Sequence, residues 1–227
     1  MDTWNGRLVM NALEQAGAVI ACTAFRTPSL DQVATVYLPI AIYAENEGTF
    51  ININGISQQF ASSVPAPGEA RPGWKVLRVL ANHLNMENFN YENIDEITRE
   101  VQDLAGDVVP DNSGPYRDPV LNQPQANTIS RITDMPMNSL DVLVRHAEPL
   151  QQTDDIADDT AHLSQSMADK IGLVNGDRVV IEQSDASLEI GYSIDNRIPD
   201  NTVLIHAAGK NTSGLGAWYA GISIRKA

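Results

Sequence analysis

The densest run of ligand-type side chains is Asp154-Asp155 and Asp158-Asp159, four carboxylates within six residues. Hard cations such as calcium and magnesium take carboxylate oxygens. The run lacks the glycine and the distal glutamate of an EF-hand loop, so it reads as a solvated linker or a helix start. A second candidate is Gly209-Lys210-Asn211-Thr212-Ser213-Gly214-Leu215-Gly216. Such a loop can offer backbone N–H groups to a nucleotide phosphate. It carries neither a Walker pattern nor GxGxxG, which makes the motif unspecific. Glu69 and Arg71 have the types of an acid–base or anion-binding pair; a loop salt bridge fixing a helix entrance is the plainer reading, and such pairs contribute little when exposed. Cys22 is the single cysteine. Beside Ala18-Val19-Ile20-Ala21 it reads as a buried strand thiol, because a nucleophile needs exposure and a low pKa. His83, next to an apolar helical stripe, reads as structural.

The bulk of the chain narrows the function classes. At 227 residues and 43% apolar it suits one large or two small domains with a real core. Lys and Arg number 15 against 29 Asp and Glu, a net charge of −14. That field repels phosphate and argues against nucleic acid or an anionic membrane as partner. One cysteine allows no internal disulfide and no four-cysteine zinc or iron–sulfur site. No basic region followed by an apolar core marks a signal peptide. The longest apolar run, Val33 to Ala44, is too short to span a bilayer. The expectation is a soluble chain of cytoplasmic type.

The elements that must position these residues centre on Leu163 to Ala208. Ser164 or Ser166 can cap a short helix in which Met167 and Ile171 share a face, and Gly172 suits its left-handed end. Asn175-Gly176 predicts a tight turn with positive φ angles. A strand over 178–182 follows, then one over 187–194 in which Leu188, Ile190, Tyr192 and Ile194 alternate with smaller or polar residues. Pro199 and Asn201 turn the chain before Val203-Leu204-Ile205, and Trp218 to Ile224 gives a last strand.

Upstream, a helix over 5–16 with Leu8, Val9, Ala12, Leu13 and Ala16 on one face precedes an apolar strand, Ala18 to Thr23. A helical turn from Pro28 to Ala34 and a strand at Thr35–Leu38 complete αβαβ logic. The start at a helix reads as a start inside a domain of a longer natural protein. Gly48 to Gln58 suggests a strand or hairpin arm. Pro72 opens a helix with Trp74, Leu77, Leu80, Ala81 and Leu84 facing inward. Asn93 and Glu96 have capping-box spacing for a helix whose Ile94, Ile97, Val101 and Leu104 face inward. From Asp107 to Asn138 repeated prolines predict a long crossing segment without regular elements.

Several strings also carry a family resemblance. Ala168-Asp169-Lys170-Ile171-Gly172-Leu173, Gly176-Asp177-Arg178-Val179 and Ile198-Pro199 resemble the C-terminal double-psi β-barrel of the molybdopterin oxidoreductase superfamily. Leu38-Pro39, Glu45 or Glu47, Gly48-Thr49, Asn52, Gly55 and Gln58 resemble a signature of the same superfamily, with Ile56 where an arginine is usual. Gly68-Glu69-Ala70-Arg71-Pro72-Gly73-Trp74 and Val144-Arg145-His146-Ala147-Glu148-Pro149-Leu150-Gln151-Gln152-Thr153 resemble the large peripheral-arm subunit of NADH–quinone oxidoreductase, respiratory complex I, with His146 replacing the commoner second arginine.

The resemblance implies an α/β fold: a truncated α/β segment over 1–125, a crossing linker over 126–160 and the barrel over 161–227. It implies a structural C-terminal portion of that subunit, supporting NADH-to-quinone electron transfer while the iron–sulfur clusters sit on cysteines of the missing N-terminal part. No catalytic residue, bound cofactor or metal is then expected here. The implied partners are the iron–sulfur N-terminal domain and other peripheral-arm subunits, on the inner face of the cell membrane. The alternative is the C-terminal half of an oxidoreductase binding a molybdopterin guanine dinucleotide, with Asn52, His206, Asn211 and Thr212 as candidate cofactor residues. A third reading is a stand-alone barrel binding a small ligand or protein.

Overall fold

Polar side chains start several of the helices by taking up orphan backbone N–H groups. Asn5 accepts from Leu8 and starts α1 (Gly6–Glu14). β1 (Ile20–Thr23) comes next, followed by α2 (Pro28–Val33), capped by Thr27. β2 (Val36–Pro39) runs parallel to β1. β3 (Gly48–Ile51) and β4 (Ser57–Phe60) pair as an antiparallel hairpin. α3 (Gly73–His83) starts just after Pro72, and α4 (Ile94–Ala105) is capped by Asn93, which accepts from Glu96. Then come β5 (Ile129–Ile132), α5 (Val142–His146), β6 (Thr160–Leu163) and α6 (Gln165–Ile171). The chain ends with β7 (Arg178–Gln183), β8 (Ala186–Ile194), β9 (Thr202–Leu204) and β10 (Gly221–Lys226).

The structure, a computed structural model, describes Thr3–Gly106, Gly114 and Thr128–Ala227. It divides into two units: Met1–Gln15 with Val120–Ala227, and Ala16–Pro119.

In the first unit six strands close into a barrel in the order β10-β5-β9-β6-β8-β7. β5 is parallel to β9 and β6 to β8, while β7–β8, β7–β10, β5–β10 and β6–β9 are antiparallel. Leu163, Val179, Ile181, Val203 and Ile205 are fully buried and pack with Met167, Ile190 and Leu215. Each large side chain so buried contributes about 1.5–3 kcal/mol. α6 closes one end of this core through Met167 and Ala168. Ser164, not Ser166, is its cap, accepting from Met167, while both hydroxyls donate to Asp200. Gly172 ends α6 in the left-handed region (φ 75°), with the Gly172 and Leu173 N–H groups returning to Asp169 and Ala168. At Asn175-Gly176 only Gly176 takes a positive φ, which corrects the expected two-residue pattern; the Asp177 carboxylate accepts from Val174 and shapes the turn instead.

Two barrel strands were not expected. β5 lies inside the segment predicted to lack regular structure, and β6 occupies the first residues of the expected 161–227 barrel, where no strand was predicted ahead of the helix. β5 has a buried arginine in a four-residue strand, so its apolar alternation is broken. Arg131 is 1% exposed. Its Nη1 donates to Gln183 Oε1 at 3.1 Å and to the Gly216 carbonyl at 3.3 Å, and Gln183 donates on to Ala217. Burial pulls the Arg131 guanidinium down to about 10. α1 belongs to this unit too: Arg7 pairs with Asp185 at 3.0 Å, and a Cβ on Gly6 would meet the Ser213 carbonyl at 2.1 Å. Leu8 and Val9 stay exposed, so the predicted apolar face of α1 is not a buried one.

The Ala16–Pro119 unit differs from its sequence pattern. Among the described residues β1 has β2 as its one neighbour in a two-stranded sheet, Ile20 is 47% exposed and Cys22 is exposed, which corrects the expected strand buried on both faces and the expected buried thiol. Leu77 and Leu84 on the α3 pattern, and Val101 and Leu104 on the α4 pattern, are exposed. Glu96 completes only part of the capping box, accepting from Glu92 N–H and the Asn93 side chain. Residues 107–113 and 115–127 of the predicted crossing segment lie outside the described residues.

Candidate functional site

Strand register gathers two histidines and their partners at one place on the barrel. His162 is on β6, whose parallel pairing with β8 sets it opposite Ser193. β6 also meets β9 at His162 and Leu204, and His206 lies two residues beyond. β5 pairs with β9 through Ile132 and Leu204, and the ladder continues as Ile205 N–H to Ile132 and Ala207 N–H to Asp134. Asp134 is thereby opposite His206. Asp158 precedes β6 by two residues and sits four before His162.

The side chains meet accordingly. His162 Nδ1 is hydrogen-bonded to Ser193 Oγ at 2.7 Å, and His206 Nδ1 to an Asp134 carboxylate oxygen. Both Nε2 atoms face one oxygen, Asp158 Oδ1, at 3.3 Å from His162 and 3.6 Å from His206. The two rings are 5.3 Å apart and close to perpendicular. All three residues are partly buried.

Next to this cluster the glycine-rich loop is organised around an acid. Asp159 Oδ1 accepts from the backbone N–H groups of Asn211 (3.1 Å) and Thr212 (3.3 Å), and Oδ2 accepts from the Asn211 side chain at 2.6 Å. Thr212 is buried and donates to the His206 carbonyl. A Cβ on Gly209 would lie 2.9 Å from Asp159 Oδ1 and 2.4 Å from Thr212 Oγ1, so the loop closes on this carboxylate only with glycine there. The N–H cradle expected to suit a phosphate is filled by the chain's own anion. Asp158 and Asp159, expected in a solvated linker or helix start, are instead half-fixed parts of the barrel.

The four candidate cofactor residues are divided between the two units. His206, Asn211 and Thr212 come together on the barrel. Asn52 belongs to the Ala16–Pro119 unit, where its Oδ1 accepts from Asn54 and Ile56 N–H, both at 3.0 Å, and shapes the β3–β4 loop. Arg71 Nη1 donates to the Gly68 and Ala70 carbonyls, a loop-fixing role. His83 lines an apolar cleft of about 500 Å³ with Leu38, Val76, Val79 and Leu80. In the 144–153 string, Gln151 donates to the Asn138 and Val144 carbonyls and Thr153 accepts from Asn138, so these residues lace their own segment.

Sequence reading missed His162, Asp158 and Asp134 as partners of His206. The available signal was His162 at i+4 from Asp158; the rest depends on register between strands distant in sequence. The Asp159 carboxylate takes the Asn211 and Thr212 N–H groups that a phosphate in this loop would use.

Comparison with known proteins places the chain among relatives. Residues 1–83 match the family model described as molybdopterin oxidoreductase. Over 94 residues the chain is 36% identical to the F420-dependent formate dehydrogenase 1 subunit alpha of Methanococcus maripaludis, covering 41% of this chain and 14% of that protein. It is 32% identical over 111 residues to the assimilatory nitrate reductase catalytic subunit of Bacillus subtilis, 48% of this chain and 16% of that one. It is 34% identical over 73 residues to the NADH-ubiquinone oxidoreductase 75 kDa subunit of Reclinomonas americana, 32% of this chain and 10% of that one. The chain thus spans under a fifth of the length of these curated relatives. The fold is similar to that of acetylene hydratase from Pelobacter acetylenicus, with TM-score 0.59 and 17% identity over 96% of this chain and 41% of that one. The chain combines a segment, residues 1–83, that is similar to the molybdopterin oxidoreductase family model with a closed six-stranded barrel in a mixed α/β fold. Among the described residues no helix is long and apolar enough to cross a membrane.

Proposed function

We propose that this chain is an architectural C-terminal portion of the large iron–sulfur subunit of an NADH–quinone oxidoreductase, and that its barrel is of the double-psi type. In this role it carries no redox centre itself. It packs against the iron–sulfur N-terminal part of the same subunit and against other peripheral-arm subunits, on the inner face of the membrane. The observation that carries the reading is Asp159 in the glycine-rich loop, because it occupies the donors that an anionic dinucleotide would need. The similarity to a complex I 75 kDa subunit and the 144–153 string support it. So do the exposed apolar side chains of the Ala16–Pro119 unit, among them Ile53, Leu77 and Leu104, which suit a surface made to be covered.

The second reading is the C-terminal half of a molybdopterin guanine dinucleotide-binding oxidoreductase, favoured by the formate dehydrogenase and nitrate reductase relatives. Elemental analysis for molybdenum and tungsten, with pterin fluorescence after acid oxidation, separates the two when the chain is expressed with its full-length parent. The architectural reading expects neither metal at the stoichiometry of the chain and expects the chain to co-purify with the iron–sulfur part. Stoichiometric molybdenum or tungsten with a pterin overturns it and brings His206, Asn211 and Thr212 forward as cofactor residues.

A further inference from the structure

We propose that His162, His206 and Asp158 form a binding site for a zinc-type divalent cation, with Ser193 and Asp134 as the outer groups that aim the two imidazoles. Three facts converge on this. The ligand-type atoms of the three residues all lie within 4.8 Å of one another. Both imidazoles turn the same nitrogen, Nε2, toward the same carboxylate oxygen, at 3.3 and 3.6 Å. Each imidazole has its other nitrogen engaged, by Ser193 Oγ and by the Asp134 carboxylate.

The chemistry follows from that last fact. An imidazole whose Nδ1–H is given to a carboxylate keeps a lone pair on Nε2, and this carboxylate–histidine arrangement is the usual support of a metal-bound histidine. Asp134 sets His206 in this state, and His162 reaches it when Ser193 Oγ accepts from its Nδ1–H. Both Nε2 lone pairs and the Asp158 oxygen are then free to share one cation. Zinc bonds of about 2.0–2.2 Å place tetrahedral ligands about 3.3–3.6 Å apart, which the two separations from Asp158 match. Two imidazoles with one carboxylate select zinc and neighbouring transition metals over calcium and magnesium, which prefer oxygen. Three protein ligands leave the fourth tetrahedral position of such a cation to water. The parts come from β6, β8, β9, the end of β5 and the segment before β6, so a bound cation would staple the strand ends of the barrel.

Equilibrium dialysis and thermal unfolding of the full chain with Zn²⁺ test the proposal, with Co²⁺ as a spectroscopic stand-in. One zinc per chain, a Tm that rises with zinc and the visible bands of four-coordinate cobalt are expected. Binding should vanish in a His162→Ala/His206→Ala double variant and in Asp158→Asn. It should weaken about 10–100-fold in Asp134→Asn, which removes only an outer group, and stay unchanged in Asp154→Asn on the same acidic run. Because the double variant could fail to fold, zinc protection of His162 and His206 from diethyl pyrocarbonate, mapped by mass spectrometry on the unaltered chain, is the second measurement. No stoichiometric zinc, unchanged binding in a folded double variant, or no protection of these two histidines overturns the proposal.

Discussion

The barrel and the Ala16–Pro119 unit use similar residues to opposite ends. Along β7, Val179 and Ile181 point into a closed ring of strands and lose all exposure, and so do Leu163, Val203 and Ile205. Among the described residues of the other unit, the buried apolar ones are all alanines, Ala21, Ala41 and Ala81, whereas Ile53 is 94% exposed and Leu104 80%. A barrel has no free edge and encloses its own core. Two-stranded sheets and amphipathic helices do not: their apolar faces need something else to face. The same periodicity therefore marks a self-sufficient core in one region and exposed faces in the other.

The largest effect that could break this contrast is in the barrel core. Ile181→Ala should cost about 2–5 kcal/mol, because the ring cannot collapse into the cavity. Leu104→Ala should stay within about 0.5 kcal/mol, as an exposed position. Urea unfolding of both variants, read together with amide exchange at β7 and α4, checks this. Equal losses at the two sites would erase the distinction between a closed core and open faces.

The contrast also explains what was legible in the sequence. Local devices were: a serine cap at Ser164 or Ser166, the Asn93 cap, the left-handed Gly172, a strand or hairpin arm after Gly48 and the 178–194 strands all depend on residues a few positions apart. The buried faces predicted for α1, α3 and α4 were read from periodicity, which gives the face but not what covers it. β5 escaped because Arg131 breaks its alternation, and its partner Gln183 is 52 residues away. The candidate site escaped for the same reason. His206 was noticed, but the register that sets Asp134 and His162 beside it exists only once β5, β6 and β9 are paired.

Asp159 and Asn52 sharpen that difference between local and distant organisation. Each carboxylate or amide oxygen gathers backbone N–H groups, but Asn52 closes an exposed turn of its own neighbours, whereas Asp159 holds a loop 52 residues on. Asp159→Asn removes a charge-assisted acceptor and sets an amide against the donors of Asn211 and Thr212. A loss of about 1–3 kcal/mol is expected. Asn52→Ala leaves donors that water can reach, and about 0.5 kcal/mol is expected. Chemical denaturation of the two variants checks the order, and a larger loss at Asn52 would put the distant anchor in the wrong unit.

The smallest effect compares one ion-paired carboxylate from each unit as pH falls. Asp195 follows β8, with its N–H on the Leu163 carbonyl, and accepts side-chain and backbone hydrogen bonds from Arg197, which hold its carboxyl down at about 2. Asp31 accepts from Tyr37 and Arg26, which lower its pKa as well. Both folded values lie below the unfolded one of about 3.9, so the unfolded chain takes up protons first. The stabilisation is present above that unfolded value and is lost as pH falls through the folded one. The stability gap between the unaltered chain and Asp195→Asn should hold steady above about pH 5 and close toward about pH 2. Because Asp195 extends a barrel strand, the gap should appear in exchange protection of β6 and β8. For Asp31→Asn it should appear only around α2 and β2, since no closed core links that ion pair to the rest of its unit. Acid-dependent protection lost equally at β6, β8, α2 and β2 would show that neither ion pair acts locally, and the contrast between closed core and open faces would not extend to these carboxylates.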